Sequence, residues 1–321
     1  MDTSRPQQLH VVFGAGQIGP RLAALLASRG HWVRLVRRGP HGDLPAGVEG
    51  ARADAADPRA ASEAAAGAAA VYHCMNPSAY STEVWRRDLP PLQASLVEAA
   101  GAAGARLVVL DNLYAIGRTG GRPMDEASPS NPCSAKGEVR ARLREALLDA
   151  MRRGAVKAAI GRASDFYGPG GVGTHFAERF WKPALAGKGV GGLVDPATPH
   201  TYHYIPDVAA GLAALGEDGA AEGTFMLPCQ PAEPTTALVA RLAAALGQPI
   251  ALNRIPPLLL RVLSYGMPIL KELREMAYQW EEPFLVDDRK FRARFGDLVA
   301  GRDEAAAATV AWGRSITGAA R

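Results

Sequence analysis

The glycines of the segment GAGQIG are the first residues in the chain that indicate chemistry. The segment follows an apolar run, LHVVF at 9–13, and precedes the amphipathic stretch RLAALLASRG. Glycines at this spacing allow a tight turn and let the backbone approach a pyrophosphate, and the following helix offers N–H groups and a partial positive charge to it. The alternative is a plain glycine-rich turn. We predict a dinucleotide-binding turn made by Gly14, Gly16, Gln17, Ile18 and Gly19.

Two arginines stand where the next predicted strand, residues 31–38, ends. A site specific for NAD offers an acidic residue to the ribose 2′-hydroxyl here, but between the glycine turn and Asp43 the chain has no acidic residue. Guanidinium groups suit a 2′-phosphate, to which they can donate paired hydrogen bonds. Arg37 and Arg38 therefore favour NADP(H), with NAD(H) as the second choice. The alternative is that both are solvated surface charges.

Other polar residues lie near the ends of predicted strands and complete the predicted cofactor site. Asp54 either accepts a hydrogen bond from the adenine amino group or caps the next helix. Cys74 and Asn76 lie at the end of an apolar strand at 68–75, and Ser164 ends a strand at 156–164.

Strands and helices alternate along the first two thirds of the chain, which predicts an α/β fold with a mostly parallel sheet. We expect a Rossmann-like doubly wound sheet over 1–165, joined by part of 195–220, and a smaller C-terminal substrate domain over most of 166–321. Residues 43–50 are expected to be a loop. The predicted strands are 9–13, 31–38, 68–75, 105–112, 156–164 and 223–228. The predicted helices are 59–70, 82–103, 136–153, 176–186, 206–216, 235–247, 258–278 and 304–312.

A series of segments in this order resembles the NAD-dependent epimerase/dehydratase family, the extended or atypical branch of the short-chain dehydrogenase/reductase superfamily. The segments are GAGQIG, Asp54, VYHCMNP, LVVLDNLYAIG, the region of Lys136, GRASDFYGPG, YHYIPDVA and TTALVARLAAALG. The resemblance covers nearly the whole chain and implies a nicotinamide dinucleotide cofactor and hydride-transfer chemistry.

The catalytic signature of that family is altered in this chain. Family members place a Tyr four residues before a Lys, and a Ser or Thr at the end of the preceding strand. With Lys136 taken as the Lys, Pro132 stands in place of the Tyr, and Asn112 stands in place of the Ser or Thr. Tyr114 is the candidate replacement proton donor, or else a packing residue. Asn112 would orient a substrate oxygen, and Lys136 would bind ribose hydroxyls.

Further residues are expected to contact the substrate. Tyr80 and Trp85 occur where the family's substrate pocket begins, and Asp165 replaces an Asn of the family pattern. Tyr167 and His175 follow on a loop, where a lone His is more often a surface residue than a base. His200 and His203 resemble a metal pair only superficially, since no third ligand is suitably spaced, and we predict no metal.

Composition excludes several classes of protein. The net charge is +4, without the clustered basic stripe of a nucleic-acid binder. Three cysteines are too few for a disulfide framework, and no apolar run reaches the ~18–20 residues that span a bilayer. We expect a cytoplasmic monomer or homodimer that acts on a small molecule without nucleic acid or membrane.

The sequence thus favours an NADP(H)-dependent oxidoreductase of the epimerase type that acts on a small organic carbonyl or alcohol. Two alternatives stay open. One is a non-catalytic NADP(H)-binding sensor or scaffold, and the other is a non-redox isomerase or dehydratase on the same fold.

Overall fold

The chain forms two compact units in a computed structural model that describes residues 7–191, 195–253 and 268–318. The first, called the sheet unit, comprises the described residues up to Asn112, Glu138–Arg162 and Val208–Leu227. The second unit comprises Leu113–Gly137, Ala163–Asp207 and the described residues from Pro228 onward. The segment 113–137 groups with the second unit, whereas the predicted division has it in the first. The return of the chain to the sheet unit at 208 falls within the predicted range 195–220.

Short strands and helices alternate along the chain. The strands are β1 (Leu9–Phe13), β2 (Trp32–Arg37), β3 (Val48–Arg52), β4 (Ala70–His73), β5 (Arg106–Asp111), β6 (Lys157–Arg162), β7 (Asp165–Tyr167), β8 (Val190–Gly191), β9 (Pro199–His200), β10 (Tyr202–Tyr204), β11 (Gly223–Met226), β12 (Glu233–Pro234) and β13 (Leu252–Asn253). The helices are α1 (Gly19–Ser28), α2 (Pro58–Ala65), α3 (Thr82–Ala102), α4 (Ala135–Arg152), α5 (Glu178–Leu185), α6 (Ile205–Glu217), α7 (Thr235–Leu246), α8 (Pro268–Glu275), α9 (Arg289–Phe295) and α10 (Arg302–Ile316), with a 3₁₀ turn at Ala277–Trp280.

Seven parallel strands form the sheet of the first unit, in the order β11-β6-β5-β4-β1-β2-β3. The order reverses beside β1, so the carboxyl ends of β1 and β4 meet at the switch point where doubly wound folds bind ligands. This topology confirms the predicted Rossmann-like fold. The four central strands are almost entirely buried, in keeping with their runs of Val, Leu and Ala.

The apolar core of the sheet unit explains why these helices cover the sheet. Val11, Phe13 and Leu107 are completely buried, and they pack with Leu96 of α3 and Leu147 of α4. Burying an aliphatic or aromatic side chain of this size contributes about 1.5–3 kcal/mol. The strands therefore hold their carboxyl ends on a well-packed support.

The second unit has a separate core of aromatic side chains. Trp181 of α5 is fully buried, and an added Cβ at Gly313 of α10 would lie 2.3 Å from the indole ring. The close approach of α10 to α5 therefore requires glycine at position 313. Phe176, Tyr202 and Tyr204 belong to the same cluster.

Two predictions of secondary structure need correction. The predicted loop 43–50 is wrong at its end, because β3 begins at Val48 and pairs with β2 as the edge of the sheet. Of the predicted helix 258–278, the part up to residue 267 lies outside the described residues, and the rest forms α8 and a 3₁₀ turn. Among the described helices, none has both the length and the apolar character needed to cross a membrane.

We expect Asp207 to make the stability of the second unit pH-dependent. Its carboxylate accepts the backbone N–H of Ala300 at 3.2 Å, and burial raises its pKa to about 7. Between about pH 4 and pH 7 the folded chain keeps a proton that the unfolded chain releases, so the contribution of Asp207 to stability falls as pH rises.

The variant Asp207→Asn tests this in urea denaturation at several pH values. The free energy of unfolding of the wild type, minus that of the variant, should fall with pH by at most about 1.4 kcal/mol per pH unit in this window. A difference that stays constant from pH 4 to 7 would contradict the role of Asp207.

Candidate active site

The glycine turn after β1 is built by close backbone contacts. Gly14 has φ +114°, and an added Cβ there would lie 2.7 Å from the carbonyl oxygen of Cys74. A Cβ at Gly19 would lie 1.7 Å from the carbonyl oxygen of Gly14. Gly16 is different, because a Cβ at that position would meet nothing within 4 Å. The fold therefore requires glycine at positions 14 and 19. At Gly16 the space beside the backbone is open.

The helix that begins at this turn has an uncapped amino end. Ile18 occupies the N-cap position without a side-chain cap, and no acidic residue lies in the first turn of α1. The first N–H groups of a helix and its dipole attract an anion. The open backbone at Gly16 and the amino end of α1 therefore fit the pyrophosphate of a dinucleotide, and Gln17 lies between them.

Arginines cluster where β2 and β3 end. Arg37 is in register with Arg52 across the two strands, and both side chains are exposed, as is that of Arg38. Arg52 Nε donates to the carbonyl oxygen of Arg38 at 3.4 Å. Arg52 was missed in the sequence because the preceding segment has the pattern of a loop. The three guanidinium groups make this edge suited to an additional phosphate.

Asp54 follows β3 but does not cap α2. Its Oδ1 accepts the N–H of Ala56 at 3.0 Å, whereas Asp57 is the N-cap and accepts from Arg59 and Ala60. The capping alternative for Asp54 is therefore wrong. An adenine-binding role stays a prediction.

The carboxyl ends of β4 and β5 bring together several predicted residues of the sheet unit. Cys74 follows β4, and its carbonyl oxygen lies against Gly14. Trp85 is buried at the start of α3 and stands edge-on to Tyr80, with ring centroids 5.7 Å apart. Asn112 follows β5 and is half-buried.

Arg140, which was not among the expected site residues, also reaches this edge. From α4 it donates a hydrogen bond from Nη2 to Asn76 Oδ1 at 2.7 Å. Burial, assisted by the charge of Arg140, lowers the pKa of the neighbouring His73 to about 3, so that this imidazole is neutral at pH 7. The sequence offers one indication of this role, since Arg140 lies four residues after Lys136 and therefore about one helical turn from it.

Lys136 and Tyr114 both lie in the second unit. The Lys136 ammonium is fully buried and pairs with the carboxylates of Glu272 and Glu275, the latter at 3.2 Å. Tyr114 is half-buried in the turn after β5, and its carbonyl oxygen would lie 2.5 Å from a Cβ at Gly137. The backbone of Tyr114 therefore packs against the first turn of α4, beside Lys136.

Ser164 and Asp165 take part in two buried histidine contacts of the second unit. Ser164 donates its hydroxyl to the carbonyl oxygen of Thr201, and its backbone N–H donates to His203 Nδ1 at 3.1 Å. His200 Nε2 lies 3.0 Å from Asp165 Oδ2, and its Nδ1 lies 3.2 Å from the carbonyl oxygen of Gln279. The His200 ring therefore lies between the carboxylate of Asp165 and the backbone of Gln279.

The electrostatics of this pair favour an ionised Asp165. Burial alone would raise the pKa of its carboxyl, but the hydrogen bond and charge of His200 hold it below its ordinary value. His200 also stacks on Trp280, with ring centroids 5.3 Å apart and planes 6° from parallel. Asp165, which stands in the place of an Asn of the family pattern, is thus held by a buried histidine.

Tyr167 and His175 each contact an aromatic side chain. Tyr167 is buried beside Tyr204, and burial raises the pKa of its phenol well above the ordinary range. Burial lowers the pKa of His175 to about 4 against the opposing charge of Asp165, and the ring stands edge-on to Trp280. His175 is accordingly a neutral and weak base at pH 7.

Across residues 7–191, 195–253 and 268–318, no group of three His, Cys, Asp or Glu side chains is placed to hold a metal ion. The two histidines of the segment around β10 have other partners, as described above.

Comparisons with known proteins identify one family and a shared fold. A family model described as the NAD dependent epimerase/dehydratase family matches residues 10–226. No curated protein sequence matches the chain.

Solved structures share the fold at low identity. WbmH from Bordetella bronchiseptica in complex with NAD+ has a TM-score of 0.75 and 17% identity over 97% of this chain and 100% of that one. UDP-glucuronic acid 4-epimerase from Bacillus cereus with NAD has a TM-score of 0.76 and 16% identity over 97% and 98%. UDP-glucose 4-epimerase from Thermus thermophilus with NAD has a TM-score of 0.73 and 23% identity over 95% and 99%.

Gly16→Ala separates ligand binding at the glycine turn from folding. Because a Cβ at Gly16 meets no protein atom, we expect an unchanged melting temperature and dinucleotide affinity at least ~10-fold lower by calorimetry. The matched variant Gly19→Ala should lower the melting temperature itself, since its Cβ collides with backbone. Equal dinucleotide affinity in Gly16→Ala and the wild type would contradict pyrophosphate binding at this turn.

Proposed function

Because the chain belongs to the NAD-dependent epimerase/dehydratase family, we propose that it is an NAD(P)-dependent oxidoreductase of the epimerase/dehydratase type. Its substrate is a small organic carbonyl or alcohol. The observation that carries this proposal is the glycine turn, which is tightly packed at Gly14 and Gly19 and open at Gly16 beside the uncapped end of α1. Such a turn is suited to a dinucleotide.

The dinucleotide of this proposal is NADP(H). Arg37, Arg38 and Arg52 stand together at the ends of β2 and β3, where the adenosine ribose of a dinucleotide lies in this class of fold. Three guanidinium groups favour the doubly charged 2′-phosphate over a neutral hydroxyl. The other proposed cofactor contacts are made by Gln17, Ile18, Asp54, Cys74, Asn76 and Ser164.

A bound nicotinamide would supply the hydride, and the side chains of this protein would handle the substrate oxygen. We assign the proton on that oxygen to the phenol of Tyr114, which lies in the turn directly after β5. The Asn112 amide orients the oxygen, and the backbone of Tyr114 packs against Gly137, the residue that follows Lys136. The proposed substrate contacts are Tyr80, Trp85, Asp165, Tyr167 and His175.

The choice of substrate is left to screening. Two neighbouring structures are named for UDP-sugars, so a sugar nucleotide belongs in the screen beside small aldehydes, ketones and alcohols. An isomerase or dehydratase would return the hydride to the same molecule, which isotope exchange from labelled cofactor into product distinguishes from net reduction.

One observation favours a second candidate, a non-catalytic NADP(H) sensor. Pro132 stands where the family has its Tyr, and the buried ammonium of Lys136 is engaged by two glutamates. A sensor would bind the dinucleotide without oxidising or reducing any compound in the screen.

Cofactor preference is tested with the double variant Arg37→Ala, Arg38→Ala. The wild type should bind NADPH at least ~10-fold more tightly than NADH, a difference of about 1.4 kcal/mol, and the variant should lose most of this preference while keeping its NADH affinity. Arg59→Ala, at an exposed arginine of α2, is the control and should change neither affinity. Equal wild-type affinities would contradict the preference for NADP(H).

Tyr114→Phe tests the proton assignment. Loss of a general acid or base typically lowers turnover by about 10²–10⁴, so kcat on any substrate found should fall by at least ~100-fold. The Kd for NADPH should stay constant, because the phenol is assigned to the substrate and not to the cofactor. Unchanged turnover would remove Tyr114 from the mechanism.

A further inference from the structure

The side chain of Arg140 reaches the carboxyl edge of the sheet in a fixed position. Its Nη2 donates to Asn76 Oδ1 at 2.7 Å, and its Nη1 lies 3.6 Å from Asp111 Oδ1. The guanidinium carbon lies 4.9 Å from the ring centroid of Trp85, a cation–π contact. Arg140 is 5% exposed, so these contacts hold a buried cation at one place.

This place is next to the glycine turn. Asn76 follows β4, and β4 is the immediate neighbour of β1 in the sheet. The backbone after β4 touches the turn, since the carbonyl oxygen of Cys74 lies against Gly14. In a doubly wound sheet the dinucleotide crosses the carboxyl ends of these two strands.

The carboxylate that contacts Arg140 also contacts a second buried arginine. Asp111 ends β5, and its Oδ2 lies 3.3 Å from Nε of the buried Arg162. Asp111 therefore contacts Arg140 through one oxygen and Arg162 through the other. One carboxylate between two guanidinium groups leaves an excess of positive charge at this edge, which favours oxygen-rich ligands.

Lys136 has different partners. Its buried ammonium pairs with Glu272 and Glu275, and its backbone N–H also donates to Glu275, at 3.2 Å. Both glutamates belong to α8 in the second unit. Much of the hydrogen-bonding capacity of Lys136 thus serves the packing of the first turn of α4 against α8.

We propose that Arg140, and not Lys136, is the cation that binds the ribose hydroxyls beside the nicotinamide. This inference rests on the proposed function, because it requires a bound dinucleotide. Arg140 lies four residues, about one turn of α4, after Lys136. A guanidinium donates in a planar fork that suits two adjacent hydroxyls, and it stays protonated throughout the physiological range. Arg140 therefore positions the cofactor and cannot relay a proton.

Calorimetric titration with NADPH tests the proposal on four variants of the full chain. Arg140→Met should weaken binding at least ~10-fold, and Arg140→Lys should fall between that variant and the wild type because it keeps a cation beside Asp111. Arg142→Met is the matched control, since Arg142 is an exposed arginine of the same helix, and it should bind like the wild type. Lys136→Met should also keep the wild-type affinity while lowering the melting temperature, because its glutamate partners lose their cation.

The proposal is overturned if Arg140→Lys and Arg140→Met both bind NADPH like the wild type. It is also overturned if Lys136→Met loses as much affinity as Arg140→Met. If the proposed function itself is wrong, the wild type binds neither NADPH nor NADH. In that case the inference about Arg140 is wrong as well. Comparing Arg140→Lys with the wild type keeps the test valid even if Arg140→Met does not fold.

Discussion

The sheet unit depends on the close approach of two backbone segments at the end of β1. The chain turns at Gly14 directly against the carbonyl oxygen that follows β4, and Gly19 then brings the start of α1 onto Gly14 itself. No side chain larger than hydrogen fits at either position. The result is a helix that begins at the switch point of the sheet, with the open glycine at 16 beside its first N–H groups.

Positive charge extends from this turn in both directions along the sheet edge. On one side, Arg37, Arg38 and Arg52 stand where β2 and β3 end. On the other, Arg140 is fixed between the residues that follow β4 and end β5. A dinucleotide carries phosphates and hydroxyls along its whole length, so an edge that offers N–H donors from end to end matches it chemically. We therefore expect the departure from the family motif to affect proton transfer more than cofactor binding.

The parts of this arrangement that could be predicted from sequence are local ones. β1, β5 and the glycine turn have continuous apolar runs or a fixed glycine spacing, and such signals depend only on neighbouring residues. The first residues of β3 are predicted as loop because VEGAR is a half-exposed edge strand with a glycine and two charged residues, a pattern that resembles a loop. The contact of Arg140 with Asn76 joins residues 64 apart, and that of Lys136 with Glu272 joins residues 136 apart. Neither pairing has a sequence signal, because each depends on tertiary packing.

A crystal structure of the protein with NADPH bound would test the central claim most directly. The account requires the pyrophosphate at Gly16 and the amino end of α1, the 2′-phosphate among the arginines at the ends of β2 and β3, and the guanidinium of Arg140 on the ribose beside the nicotinamide. A dinucleotide bound away from the glycine turn would contradict the proposed site. A ribose held by Lys136, with Arg140 not in contact with it, would contradict the assignment of the cation.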